Sequence, residues 1–106
     1  MNKKQIRKQF RDDCFRRDEY KCVICGKSGE LDAHHITDRK EMPHGGYVKE
    51  NGISLCSTCH QKAEEFHSTG IAHPGFAPDD LYRAINSNYK TAIDSDCSRD
   101  CRRIEL

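Results

Sequence analysis

The sequence contains no tryptophan, only 8 % aromatic residues, and 35 % hydrophobic residues against 33 % charged ones. So little apolar surface excludes a large buried core, and the core is lean for a chain of 106 residues. The mean hydropathy of −0.92 fits a partly disordered chain as well as a folded one. Something besides burial is therefore expected to help it fold, and a bound metal is the usual aid at this size. No apolar run approaches 18 residues, which argues against a membrane span and a membrane partner. The opening MNKKQIRKQF is basic without an apolar stretch behind it, so no secretory signal is expected. The expected setting is then a reducing cytoplasm. There is no internal repeat and no low-complexity tract.

No charge of one sign dominates either: 18 basic and 17 acidic residues leave a net +1. The total conceals an uneven distribution. Residues 1–21 carry eight Lys/Arg and four Asp/Glu, residues 22–67 five against seven, and residues 68–106 five against six. A basic N-terminal arm suits contact with phosphates, and equally suits a solvated helix face.

What the sequence does have is cysteine, seven in all. In a reducing compartment they point to metal before disulfides. Cys22-x2-Cys25 and Cys56-x2-Cys59 form two hooks with 30 residues between them. A two-residue gap lets both sulfurs of a hook reach one ion, and Zn2+ takes four such ligands in a tetrahedron. A site closed by four thiolates has no open position, so the expected role of this zinc is structural. Cys97-x3-Cys101 is either half of a second site or a pair of ordinary thiols, and Cys14 reads as a small core residue.

Periodicity predicts a basic N-terminal helix over about 4–19, with Ile6, Phe10 and Cys14 on one face. Short strands are expected at Leu31–Ile36 and Ile53–Leu55, separated by a polar loop over 37–52. Ser57 or Thr58 is placed to cap a helix running to about His67. After a Gly/Pro-punctuated connector, Leu81, Ile85, Tyr89 and Ile93 recur every four residues and predict a helix over about 79–93. The tail, 94–106, reads as polar and frayed. The expectation is a single α+β domain spanning 1–106.

Between the hooks lie Leu31-Asp32-Ala33-His34-His35-Ile36 and then Asn51, and His60 directly follows the last hook cysteine. Adjacent histidines on a strand point to opposite faces. They either do different jobs or sit on a strand that is ending there. Taken in order, Arg-Asp-x2-Lys-Cys-x2-Cys-Gly, Leu-Asp-Ala-His-His-Ile and Asn-Gly-Ile-x-Leu-Cys-x2-Cys-His closely resemble the HNH endonuclease family. The likeness is to the branch whose ββα-metal (His-Me finger) site is framed by a four-cysteine zinc. It covers about 15–67, with helices flanking that core.

The resemblance implies a metal-dependent DNA endonuclease giving 5′-phosphate and 3′-hydroxyl ends by a one-metal mechanism. In it His35 is the general base, His34 and His60 are ligands of the catalytic ion, and Asn51 holds the loop and orients the base. Asn51 is also simply the Asn of an Asn-Gly turn. Mg2+, Mn2+, Ni2+ or Zn2+ suits such a site. Some members carry a further His where this chain has Glu64, which is then an oxygen ligand, a supporting partner or, more simply, a solvated helix residue. His67 reads as a phosphate or metal contact, or as a capping or surface residue. Arg39 and Lys40 are placed to grip phosphate, and Arg16 and Arg17 either to touch DNA or to pair with nearby carboxylates.

Size suggests a stand-alone phage or mobile-element nuclease, in which case the compartment is the host-cell cytoplasm. No DNA-reading element is recognisable, so a targeting partner protein is one expectation, and the residues leave monomer and homodimer open. Two other readings share the hooks: a non-catalytic zinc module binding nucleic acid, and a zinc-stapled protein-interaction domain. Neither gives a reason for the spacing of His34, His35, Asn51 and His60.

Overall fold

The computed structural model describes the backbone of residues 2–104 and the side chains of residues 2–98. Its elements run α1 (Lys3–Arg17), β1 (Asp32–His35), β2 (Gly52–Leu55), α2 (Ser57–Thr69), α3 (Pro78–Ala84) and α4 (Tyr89–Ile104). Single 3-10 turns at Arg39–Glu41 and Lys49–Asn51 punctuate the loop between the strands. The result is a small α+β fold in which helices frame an antiparallel two-stranded sheet.

Helix α1 starts at a reciprocal cap. Asn2 Oδ1 accepts from the Gln5 amide at 2.9 Å, and Gln5 Oε1 accepts from the Asn2 amide at 3.0 Å, so two otherwise unpaired donors are satisfied. The helix buries Phe10 and Cys14 against β2. Its end is locked by charge. Arg17 pairs with Asp18 through two 2.7 Å contacts and donates to the carbonyls of Lys49 and Gly52, while Asp18 accepts from the Ser54 amide at 3.0 Å. Arg17 therefore serves the fold. Arg16 stays exposed beside Asp13, at 3.7 Å.

The strands pair His34 with Ile53 and His35 with Gly52. Ile53, Leu55, Ile36, Ala63, Leu81, Tyr82 and Ala92 form the core between sheet and helices. Gly52 is required by the packing of α1. A Cβ there would lie 2.4 Å from Cys14 Sγ and 2.6–2.7 Å from the Phe10 ring. Gly52→Ala must push α1 off the sheet, and such overpacking costs about 1–3 kcal/mol. A lowered urea midpoint with unchanged slope is the expected result. An unchanged midpoint would mean that Phe10 and Cys14 have room to yield.

Three expectations need correction. The helix expected over 79–93 is two helices. Asn86 adopts φ 56°, and the Ser87 amide turns back to the Tyr82 carbonyl. Ser87 Oγ then donates to the Glu50 carbonyl, and Asn88 Oδ1 accepts from the Thr91 amide to start α4. The Asn-Ser-Asn run supplies turn and cap, which overrides the four-residue apolar spacing. The tail read as frayed is helical from residue 94 to Ile104. It is held through Asp96, which is fully buried and accepts from the amides of His44 and Gly46. Finally, α2 is capped from Cys56 with no side-chain capping bond, in place of Ser57 or Thr58.

Candidate metal centres and the cleft between them

The four hook cysteines converge, with all sulfurs within 4.8 Å of one another. Cys25 Sγ and Cys56 Sγ are 3.7 Å apart, which matches the edge of about 3.8 Å for a tetrahedron with Zn–S bonds of about 2.3 Å. The first hook turns through Gly26 at φ 78°, whose amide donates to the Cys22 carbonyl, and the Val23 amide pins the hook to the Ser54 carbonyl of β2. Burial opposes ionisation of Cys22. Backbone N–H groups of Cys25, Cys56 and Ile24 aimed at its sulfur outweigh it and bring the thiol down to about 7. Donor set and spacing fit a structural zinc that joins the segment before β1 to the start of α2.

Neither leftover cysteine expectation involves this centre. Cys14 is fully buried, and burial pushes its thiol up to about 12, as suits a core residue. Cys97 is partly buried, and Cys101 lies outside the residues whose side chains are described.

The second group forms where β1 meets α2. His34, His60 and Glu64 bring one ligand atom each to within 4.8 Å of one another. His34 Nδ1 lies 3.0 Å from Glu64 Oε2, and His60 Nε2 lies 3.5 Å from the same oxygen. The His34 contact is close but misaligned as a hydrogen bond, so this buried nitrogen is unsatisfied by the chain itself. Burial, with His60 and His67 beside it, pushes His34 down to about 3. It is neutral at pH 7, the form that binds metal. His60 Nδ1 sits 3.1 Å from Asp32 Oδ2. A proton held there leaves Nε2 with its lone pair toward Glu64, as carboxylates commonly orient metal-binding histidines. Glu64 stands one turn after His60 on the same face of α2, and it joins the ligand group instead of standing in solvent alone.

His35 points the other way, as strand alternation requires. Its ring stacks on Phe10 of α1 (centroids 4.5 Å, 25°) and meets Tyr47 edge-on at 4.8 Å. Its Nε2 is buried without a partner. Burial, and secondarily Arg39, lowers His35 to about 4, so it too is neutral at pH 7 and able to accept a proton. Both histidines line one cleft of about 510 Å³, together with His60, Glu64, Arg39 and Lys40. His67 lines it too without joining the ligand group. It stacks on His34 (5.1 Å, 22°), and its Nε2 meets the His35 carbonyl at 2.9 Å.

Asn51 is fully buried and works as a brace. Its Oδ1 accepts from the Thr37 amide at 3.0 Å and its Nδ2 donates to the carbonyls of Thr37 and Gly46, while its own carbonyl accepts from the Ile36 amide. The chain leaving His35 is thus fixed from both sides. Tyr82 of α3 completes the brace by donating to Asn51 Oδ1 at 2.7 Å, and it meets Thr37 Oγ1 at 2.6 Å. Sequence reasoning missed Asp32, Tyr47, Tyr82 and Asp96. Asp32 was findable, since it stands two residues before His34 on the same face of β1. Tyr82 and Asp96 come from distant helices, and no local pattern marks them.

No curated protein and no solved structure matched the chain. The family model described as HNH endonuclease matched residues 22–66, from the first hook through most of α2. That segment contains both candidate centres, with all seven of their residues inside it. Over this segment the chain is similar to the HNH endonuclease family.

Proposed function

We propose that the chain is a metal-dependent DNA endonuclease. The observation that carries this reading is the placement of two neutral histidines on opposite faces of β1. One sits with ligand partners and the other opposite them, and both line one cleft. His34, His60 and Glu64 hold the catalytic ion, and the zinc of Cys22, Cys25, Cys56 and Cys59 holds the fold. When bound, a hard divalent cation stabilises charge on the phosphate and on the leaving 3′-oxygen. His35 takes a proton from the attacking water. Asn51 and His67 fix the backbone on either side of that base, and Arg39 and Lys40 neutralise phosphate at the rim. The products are a 5′-phosphate and a 3′-hydroxyl. The carboxylate of Glu64 favours Mg2+ or Mn2+ over softer ions such as Ni2+ or Zn2+.

Zinc-loaded protein incubated with supercoiled plasmid and Mg2+, Mn2+ or Ni2+ tests this directly. Relaxed circles are expected first and linear product later, because one active site cuts one strand. Intact plasmid after incubation with folded, zinc-loaded protein would overturn the reading in favour of a non-catalytic zinc module that binds nucleic acid. Chelation alone is a poor control, since it also strips the structural zinc.

A further inference from the structure

The cleft has a second wall that lies wholly outside residues 22–66. Arg7 and Arg11 are one turn apart on α1, so they share a face, and both line the cleft that holds His34 and His35. Both are exposed, which leaves their guanidinium groups available. The wall is fixed to the site by packing. Phe10, between the two arginines, stacks on His35 and lies 5.8 Å from Tyr47 in an edge contact. Tyr47 in turn accepts from Arg39 Nη1 at 3.0 Å. Partial burial opposes ionisation of the Tyr47 phenol, yet Arg39 and Arg7 together hold it below its usual range.

Arg7, Arg11, Arg39 and Lys40 face the cleft against only two carboxylates, Asp38 and Glu64, and Glu64 belongs to the ligand group. The whole chain is nearly neutral at +1, so this concentration of cations is local. Like charges gathered on one wall repel until an anion lies among them. A polyanion running through the cleft past the histidines satisfies them all at once.

We infer that Arg7 and Arg11 bind backbone phosphates of the DNA that runs through the cleft, with Tyr47 holding Arg39 beside them. The inference rests on the nuclease reading for the identity of the polyanion as DNA, but its test does not need cleavage. Binding of a short fluorescent DNA duplex to zinc-loaded protein, without added catalytic cation, is measured by anisotropy across a range of salt. Each phosphate contact contributes about 0.9 to the slope of log affinity against log salt. Arg7→Gln/Arg11→Gln is expected to lower that slope by about 1.8. Arg83→Gln/Lys90→Gln removes the same charge from α3 and α4, outside the lining of the cleft, and is expected to leave it unchanged. Equal slopes for wild type and Arg7→Gln/Arg11→Gln, or equal losses in both double variants, would overturn the assignment. A lost slope with intact plasmid would sink the nuclease and keep the wall. Cleaved plasmid with an unchanged slope would do the reverse.

Discussion

His35→Ala is expected to fold, to keep its zinc and to lose about a hundredfold to ten-thousandfold in the rate of plasmid nicking, the range spanned by removal of a positioned general base. The case for survival of the fold is local. His35 sits at the end of β1 opposite Gly52, outside the core cluster, and its buried Nε2 makes no hydrogen bond that the variant would break. The case for loss of activity is that no other group of the cleft is placed to replace it. His34 and His60 lie on the other face of the strand with Glu64, and the ring nitrogen Nε2 of His67 is held at the His35 carbonyl.

His35 at about 4 is a weak base in the free protein. An anionic phosphate entering the cleft favours the protonated imidazole and raises it toward the working range. The contrasting variant is His34→Ala, which should raise the cation concentration needed for half-maximal nicking. Zinc content, circular dichroism and nicking rate are measured together. If His35→Ala cuts as fast as wild type at equal zinc content, His35 is not the base.

The parts legible in the sequence are those whose geometry is set by near neighbours along the chain. Two-residue gaps bring the sulfurs of each hook together, and strand alternation splits His34 from His35. Asn51 was legible as a brace only through resemblance; its hydrogen bonds reach the segment after β1 (Ile36, Thr37), the loop at Gly46 and Val48, and Tyr82 of α3. The residues that went unread act at long range. Asp96 holds the loop at His44 and Gly46 from about fifty residues away, and Tyr82 reaches Asn51 from α3. The apolar spacing of Leu81, Ile85, Tyr89 and Ile93 misled because periodicity sees burial and not the hydrogen bonds of Asn86, Ser87 and Asn88 that end one helix and start the next. The place of Glu64 stayed open in the sequence for a related reason. An exposed carboxylate on a helix is usually solvated, and only the meeting of α2 with β1 puts it beside His34.

Loss of the zinc centre should have the largest effect on stability. Cys59→Ala is expected to abolish the cooperative thermal transition and most of the helical signal, and removal of zinc from the wild-type chain should do the same. Structural zinc contributes about 10–16 kcal/mol in small domains at neutral pH, whereas a whole domain is stable by only about 5–15 kcal/mol. This chain has little to set against the loss. Its hydrophobic content is 35 %, and the sheet has two strands of four residues each. Both hooks grip the end of β2, since Val23 hydrogen-bonds to Ser54 and Cys56 directly follows Leu55 and caps α2. Without the ion, four sulfurs within 4.8 Å lose their common partner, and the ligand group of His34, His60 and Glu64 loses the anchor of α2 with them. Cys97→Ser, outside the hooks and only partly buried, controls for cysteine replacement and should melt as wild type does. Zinc-free and Cys59→Ala chains that also melt as wild type does would show that α1 and the core hold the fold unaided, and that the four-cysteine centre is dispensable to it.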